Sequence, residues 1–236
     1  MNIVTWNMQG SNASTENKWN LCVKPMFLTE SSGGVEADLC CLQECGAVPE
    51  SAELVNPQPA GLGAGISLYI WGTARAHLYI LFYPADPNGN RCNLAIVSKN
   101  EPTEAEIVFP AAGFPWRPAL VGLWGTTYVA TLHANSQTGG ADAVGLVTAV
   151  SVLAAAAALA AGAPRPWYAL GDFNREPNTV VLGVIGVVCP PNHYTYSTSQ
   201  PTSKYDYAAI TGAVAVTGAV LGVVYSDHFP VLFKLP

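Results

Sequence analysis

The sequence predicts an α/β sandwich built from mixed β-sheets, and three observations carry that expectation. Short apolar runs of β-rich composition recur along most of the chain. Several neighbouring runs are separated by only a short turn, as in hairpins. Strands and helix-like stretches alternate loosely, without the regular beat of a doubly wound parallel sheet. No internal repeat and no long linker is visible, so the 236 residues are expected to form one domain, 1–236.

Residues 2–6 read as a first core strand. Residues 17–28 read as a helix, with caps offered by residues 14–17. Residues 37–42 are a short buried strand. Residues 66–71 and 76–83 are β-rich and flank a Gly-containing turn, and 93–98 is a further strand. Residues 120–124 and 128–133 pair through Gly125-Thr126-Thr127. Residues 141–161 form a long alanine-rich helix, opening after Gly139-Gly140 and stopping at Gly162-Ala163-Pro164. The run from Ala143 to Ala161 carries no charge, so a membrane span must be weighed. Alanine is weakly hydrophobic, Thr148 and Ser151 interrupt the run, and a span would separate motifs that must share one site. A buried packing helix is the expectation, with no transmembrane segment. Residues 167–171, 205–210 and 231–235 complete the strands.

Half of the residues are hydrophobic and 11% are charged, the composition of a globular chain. The formal net charge is -6, and the ten Lys and Arg residues form no run. A broad electrostatic groove for nucleic acid is therefore not expected. A nuclease is not excluded, because a few arginines plus a metal ion can neutralise one phosphate locally. The six cysteines (Cys22, Cys40, Cys41, Cys45, Cys92, Cys189) lack the paired CxxC spacing of a zinc site. Buried free thiols are the ordinary reading and disulfides the alternative, so the redox compartment stays open. No signal peptide precedes the first strand; the chain is either cytoplasmic or has lost a leader.

Five polar clusters fall at or just beyond strand ends. They are Trp6-Asn7-Met8-Gln9-Gly10, Leu42-Gln43-Glu44, Thr131-Leu132-His133-Ala134-Asn135, Leu170-Gly171-Asp172-Phe173-Asn174 and Ser226-Asp227-His228-Phe229-Pro230. Each alone is ordinarily a turn, a cap or a core histidine. Together they supply what hydrolysis of a phosphodiester needs. Mg²⁺ held by one or two carboxylates neutralises the phosphate, with Mn²⁺ or Ca²⁺ as substitutes. A base takes a proton from water, and donors stabilise charge on the phosphoryl oxygens. Histidine suits the base role near neutral pH when a carboxylate orients its other nitrogen.

The order WN, QE, strand-end His, GDFN and SDH resembles the endonuclease/exonuclease/phosphatase superfamily, whose archetype is DNase I. The resemblance spans residues 2–235 and implies a DNase I-like four-layer sandwich, two mixed β-sheets flanked by helices. A closer likeness is to the catalytic B subunits of cytolethal distending toxins. It rests on the opening motif followed by Ala13-Ser14-Thr15-Glu16-Asn17-Lys18-Trp19, and on Asn90-Arg91-Cys92-Asn93-Leu94-Ala95-Ile96-Val97-Ser98. Gly171-Asp172-Phe173-Asn174-Arg175-Glu176-Pro177 and Ser226-Asp227-His228-Phe229-Pro230-Val231 extend it. The chain departs from those toxins in its early cysteines, in the Gly/Pro-rich segment 58–65 and in its alanine-rich helix.

The resemblance implies roles. Glu44 matches the main metal ligand, helped by Asn7 and Asp227. Asp172 and Asn174 match positions that contact the attacking water or phosphate. His228 resembles the general base, oriented by Asp206 of Lys204-Tyr205-Asp206-Tyr207, and His133 the acid or phosphate-stabilising partner. Arg91 and Arg117 match arginines on the substrate backbone, where a planar fork bonds phosphate oxygens in pairs, and Asn7 and Gln9 face substrate too. It further implies a Mg²⁺-dependent endonuclease nicking double-stranded DNA as part of a secreted toxin. Its leader would be removed, and delivery subunits would bring it to the host cell nucleus.

Two rival readings stand beside this one. The superfamily also holds phosphoinositide phosphatases and sphingomyelinases, and low basicity keeps lipid phosphates open as substrates. A non-enzymatic binding subunit is disfavoured, since no core motif position carries an inert residue. Elsewhere, His77 reads as structural, while His193 on its loop and Arg175 after GDFN are candidates to touch substrate. Trp71, Trp116, Trp124 and Trp167 read as packing rather than base-stacking platforms.

Overall fold

A computed structural model describes residues 1–10, 15–86, 89, 91–111 and 117–236. Ser14 as a cap, Ala13, Ser14 and Asn90 of the toxin-like segments, and Trp116 lie outside the described residues. The strands in chain order are β1 (Asn2–Asn7), β2 (Leu39–Gln43), β3 (Ala52–Leu54), β4 (Ser67–Thr73), β5 (Ala76–Tyr83), β6 (Leu94–Ser98) and β7 (Glu104–Val108). They continue as β8 (Ala119–Trp124), β9 (Thr127–His133), β10 (Trp167–Asp172), β11 (Val187–Cys189), β12 (Asp206–Ile210), β13 (Ala219–Val220) and β14 (Val231–Lys234). One sheet runs β13-β14-β1-β2-β6-β5-β4-β3 and the other β11-β12-β10-β9-β8-β7. Both are mixed: β1 pairs β2 in parallel and β14 antiparallel, and β10 pairs β9 in parallel and β12 antiparallel.

Strand alternation sets the layers. Ile3, Leu39 and Cys41 face the core between the sheets, whereas Val4, Cys40 and Leu42 face the opposite side. That outer side is covered by α1 (Thr15–Lys18), a π-helical turn (Trp19–Val23) and α2 (Lys24–Met26). Both faces of β1 and β2 are thus buried, which is why these strands read as continuous apolar runs. The helix expected over 17–28 is corrected to three short pieces. Pro25 has no N–H for the helical ladder, and the chain takes its wider turn just before it. Trp19 packs edge-on against Trp71 at 5.7 Å and donates its indole N–H to the Cys45 and Ala47 carbonyls.

The fourth layer is α3 (Ala143–Ala161), which packs on the second sheet through Ala143, Leu146, Val147, Val150 and Ala154. It is long and apolar enough to cross a membrane by length and composition. The expectation of a buried helix holds for one face and is corrected for the other, where Val152 and Leu159 are 62% and 87% exposed. Gly162 ends it at φ 65°, giving its N–H to the Ala158 and Leu159 carbonyls.

β3, β7, β11 and β13 were not foreseen. All lie toward sheet margins, and β3, β11 and β13 have three residues or fewer. β7 is capped by the Gly/Pro-rich segment: Ala105 N–H donates to Gly61 O at 2.9 Å and Gly63 N–H to Ala105 O at 2.7 Å. That pairing blunts an open sheet edge.

Candidate active site

Register alone brings the motifs together. In the parallel β1–β2 pair Asn7 sits opposite Gln43, placing Glu44 one residue beyond. In the parallel β9–β10 pair His133 sits opposite Asp172, and Asp172 in turn sits opposite Asp206 across β10–β12. The two sheets are tied beneath these ends by a buried polar stitch. Gln43 Nε2 donates to Thr131 Oγ1 at 2.8 Å, and Thr131 Oγ1 donates to Leu42 O at 3.3 Å. Gly171 allows β10 to lie this close to β9, because a Cβ there would meet Leu132 O at 1.9 Å.

The last motif is anchored from three sides. Ser226 Oγ donates to Asn7 O at 2.7 Å, His228 N–H to Ser226 Oγ at 3.1 Å, and the Trp6 indole to His228 O at 3.0 Å. Asp227 N–H donates to Gln9 Oε1 at 3.2 Å. The result is an open polar cleft of about 370 Å³, walled by Glu44, Arg91, His133, Asp172, Asp227 and His228 among others. Gln9, Glu44 and Asn174 all line it with left-handed φ of 47°, 47° and 48°. Non-glycine residues are held there only where their surroundings dictate it.

Asp172 sits centrally. Its Oδ2 accepts from Asn7 Nδ2 at 3.0 Å and lies 3.6 Å from His133 Nε2 and 3.7 Å from His228 Nε2. His228 Nδ1 donates to Asp206 Oδ2 at 2.7 Å; a carboxylate only accepts, so Nδ1 carries the proton. Thr195 Oγ1 fixes Asp206 by accepting from the Tyr205 and Asp206 N–H groups. On the opposite wall, Glu44 Oε1 is 3.7 Å from His133 Nε2 and Glu44 Oε2 accepts from Arg91 Nε at 3.3 Å.

The electrostatics separate the two histidines. Burial, Arg117, His228 and Arg91 hold the His133 imidazole well below its ordinary value, so it is neutral. Burial pulls His228 down as well, but Asp206 and Asp172 outweigh it and push the imidazole up to about 10. Burial raises the Asp172 carboxyl above the usual range, against the pull of His228. His133 Nδ1 and Asp206 Oδ1 are buried without a hydrogen-bond partner.

The donor set fits a hard cation. Glu44, Asp172 and Asp227 carboxylates and the Asn7 side chain present oxygen atoms to one cleft, with Arg91 as the cation on its wall. Asp172, Asp206 and His228 also bring ligand atoms within 4.8 Å of one another. In that group, however, the short His228–Asp206 bond already occupies one oxygen and one nitrogen.

The cleft gathers Asn7, Gln9, Glu44, Arg91, His133, Asp172, Asn174, Asp227 and His228, with Asp206 directly behind His228. Arg117 is not brought in: it lines a neighbouring cavity with Asn135, Gln137 and Thr138 and donates to Ala134 O at 2.9 Å. Arg175 donates to Thr179 Oγ1, and exposed His193 is not part of the cleft wall. All six cysteines are free, and all but Cys92 are buried. Sequence reasoning gave no role to Gln43, Thr131, Thr195 or Ser226, whose hydroxyls and amide hold the site from below; only Thr195 lies outside the five strand-end clusters.

Residues 4–228 match the endonuclease/exonuclease/phosphatase family. The chain is 32% identical to a homolog of the cytolethal distending toxin B subunit from Salmonella typhi, over 98% of this chain and 88% of that protein. It is 32% identical to the cytolethal distending toxin B subunit from Escherichia coli, over 97% and 89%. Among solved structures it resembles the Haemophilus ducreyi cytolethal distending toxin, with TM-score 0.81 and 30% identity over 98% of this chain and 96% of that one.

Proposed function

This chain belongs to the endonuclease/exonuclease/phosphatase family and is a DNase I-like phosphodiesterase, and from that premise we propose that it nicks double-stranded DNA with Mg²⁺ as the catalytic subunit of a secreted bacterial genotoxin. The observation that carries the reading is the convergence of both histidines on one carboxylate, with His133 Nε2 3.6 Å and His228 Nε2 3.7 Å from Asp172 Oδ2. Toxin-subunit relatives along nearly the whole chain support the genotoxin role and assembly with other subunits, and action in the host cell nucleus is part of the DNA-nicking reading.

Glu44 is the principal ligand to the cation, with Asn7 and Asp227 beside it. When bound, the cation neutralises the scissile phosphate and lowers the proton affinity of groups around it. Asp206 holds the His228 ring with Nε2 turned toward Asp172 and the cleft; near neutral pH the two carboxylates hold most of the ring as imidazolium, and the fraction that has given up its Nε2 proton takes the proton of an attacking water. Asp172 and Asn174 orient that water and the phosphate; the Asn174 N–H donates to Asp172 Oδ1 at 2.8 Å. His133 lies across Asp172 and stabilises the phosphoryl oxygens. Arg91, whose side chain is 68% exposed, reaches from the rim to the phosphate backbone.

The formal charge of -6 favours one second reading, hydrolysis of a lipid phosphate. A side-by-side assay separates the two. Supercoiled plasmid, a phosphoinositide and sphingomyelin are each incubated with the protein and Mg²⁺, with and without EDTA. EDTA-sensitive nicking that outpaces both lipid reactions is expected. Lipid hydrolysis by a folded protein that leaves plasmid intact would replace DNA by lipid as the substrate.

A further inference from the structure

One wall of the cleft plays no part in the chemistry above. Tyr196 and Tyr205 line it beside His228 and are partly buried. Their rings stack at 5.5 Å with 20° between planes, and the Tyr196 ring lies 4.7 Å from the His228 ring, tilted by 42°. Three rings thus follow one another along this wall, with Tyr196 between His228 and Tyr205. The remaining walls are mostly polar or charged groups suited to phosphate and cation.

The backbone fixes these rings in advance. Tyr196 pairs with Ser203, its N–H donating to Ser203 O at 3.0 Å and Ser203 N–H returning to Tyr196 O at 2.8 Å. Phe229 N–H donates to Thr195 O at 2.9 Å, tying this loop to the His228 segment. Tyr205 N–H donates to Thr195 Oγ1 at 3.0 Å, so one buried threonine sets both Tyr205 and Asp206. Neither phenol hydroxyl has a hydrogen-bond partner among the described residues.

We propose that Tyr196 and Tyr205 form a nucleoside subsite that receives, by aromatic contact, the base beside the scissile phosphate. A nucleobase is flat and offers a π-face to any aromatic ring, whatever its sequence. A saturated polyol head group offers none. Rings already held in place lose little freedom on binding, so the contact orients the phosphate toward His228 without costly ordering. The subsite rests on the DNA-nicking reading and names the part of the nucleotide that this cleft reads.

The test uses labelled DNA duplexes with Mg²⁺, each carrying either a normal nucleotide or a base-free tetrahydrofuran residue at one position. Cleavage rates at the two phosphates bordering that position are compared for the parent, Tyr196→Leu, Tyr205→Leu and Tyr196→Phe. The parent is expected to cut one bordering phosphate roughly tenfold or more slowly when the base is missing, the size of a single base–aromatic stack. Both Leu variants should cut the two duplexes alike, whatever their overall rate, and Tyr196→Phe should discriminate like the parent. A parent that cuts both duplexes equally, or cuts the base-free one faster, overturns the subsite; so do folded Leu variants that still discriminate. Should a Leu variant fail to fold, the parent and Tyr196→Phe comparison decides alone. A parent that nicks neither duplex overturns the DNA reading itself and the subsite with it.

Discussion

Asp206 touches the proposed reaction only through His228, yet its contact is the shortest between charged groups in the site, 2.7 Å. Replacing it by Asn removes the charge that raises the imidazole's proton affinity. Asp206→Asn is therefore expected to lower kcat by about 100-fold or more, the scale of general acid–base catalysis. The pH–rate limb belonging to His228 should also move to lower pH, because the imidazole surrenders its proton more easily. An unchanged limb would show that Asp206 does not tune His228. Thiol chemistry gives a second residue-scale prediction. Burial pushes Cys22 up to about 11, and raises Cys40, Cys41 and Cys45 well above the ordinary thiol value. Thiol titration of the folded protein at pH 8 should leave these buried thiols unmodified until denaturant is added, with half-buried Cys92 reacting first. Rapid loss of four or more thiols without unfolding would contradict the described packing. At this scale the side chains that meet in the cleft were legible in the sequence, as Asn, Glu, His and Asp at strand ends in that order, whereas Arg117 from the same reading lies outside it. Thr195 and Gln43 were not legible, since a buried hydroxyl or amide has no signature until its partners are known.

The strand ends deliver those side chains through pairing register, and the Gln43–Thr131 stitch holds the sheets at the distance this requires. Thr131→Val keeps the shape and removes the acceptor across the sheets, while the Gln43 amide keeps Thr5 Oγ1 and Cys41 O within its own sheet. A loss of about 0.5–1.5 kcal/mol in denaturant unfolding is expected, the net worth of one intramolecular hydrogen bond, along with weaker nicking. Gly171→Ala should destabilise at least as much, since its Cβ would strike the Leu132 backbone rather than a mobile side chain. Stability within a few tenths of a kcal/mol of the parent for either variant would mean the sheets tolerate a shift that the register does not allow. Continuous apolar runs made β1, β2, β6, β8, β9 and β10 readable. The marginal strands escaped notice because two or three residues carry no periodicity, and the helix over 17–28 broke because Pro25 interrupts its ladder.

Over the whole molecule the charge of -6 and the ten scattered cations would leave the proposed DNA substrate little to hold beyond the reacting phosphate. Arg91 is the arginine in the cleft, with Arg117 and Arg175 nearby but engaged elsewhere. The salt dependence of DNA binding should accordingly be shallow, with a log–log slope no steeper than about -3, the equivalent of about three phosphate contacts. A slope near that of a many-contact binder would contradict the reading that these scattered cations form no broad basic groove. A sandwich of mixed sheets was legible from apolar runs and hairpins, and its two-sheet form from the family resemblance, whereas the half-exposed state of α3 was not. A chain with no charge from Ala143 to Ala161 gives periodicity nothing to mark its outer side. The claim that unites these scales is that two histidines, one from each of two distant motifs, act on a single phosphate. Its most direct test is Mg²⁺-dependent nicking of supercoiled plasmid by the parent, His133→Ala and His228→Ala, each confirmed folded by its melting curve. Nicking by the parent that EDTA abolishes, and its loss in both variants, is the predicted result. Parent-like nicking by either folded variant would contradict the shared site.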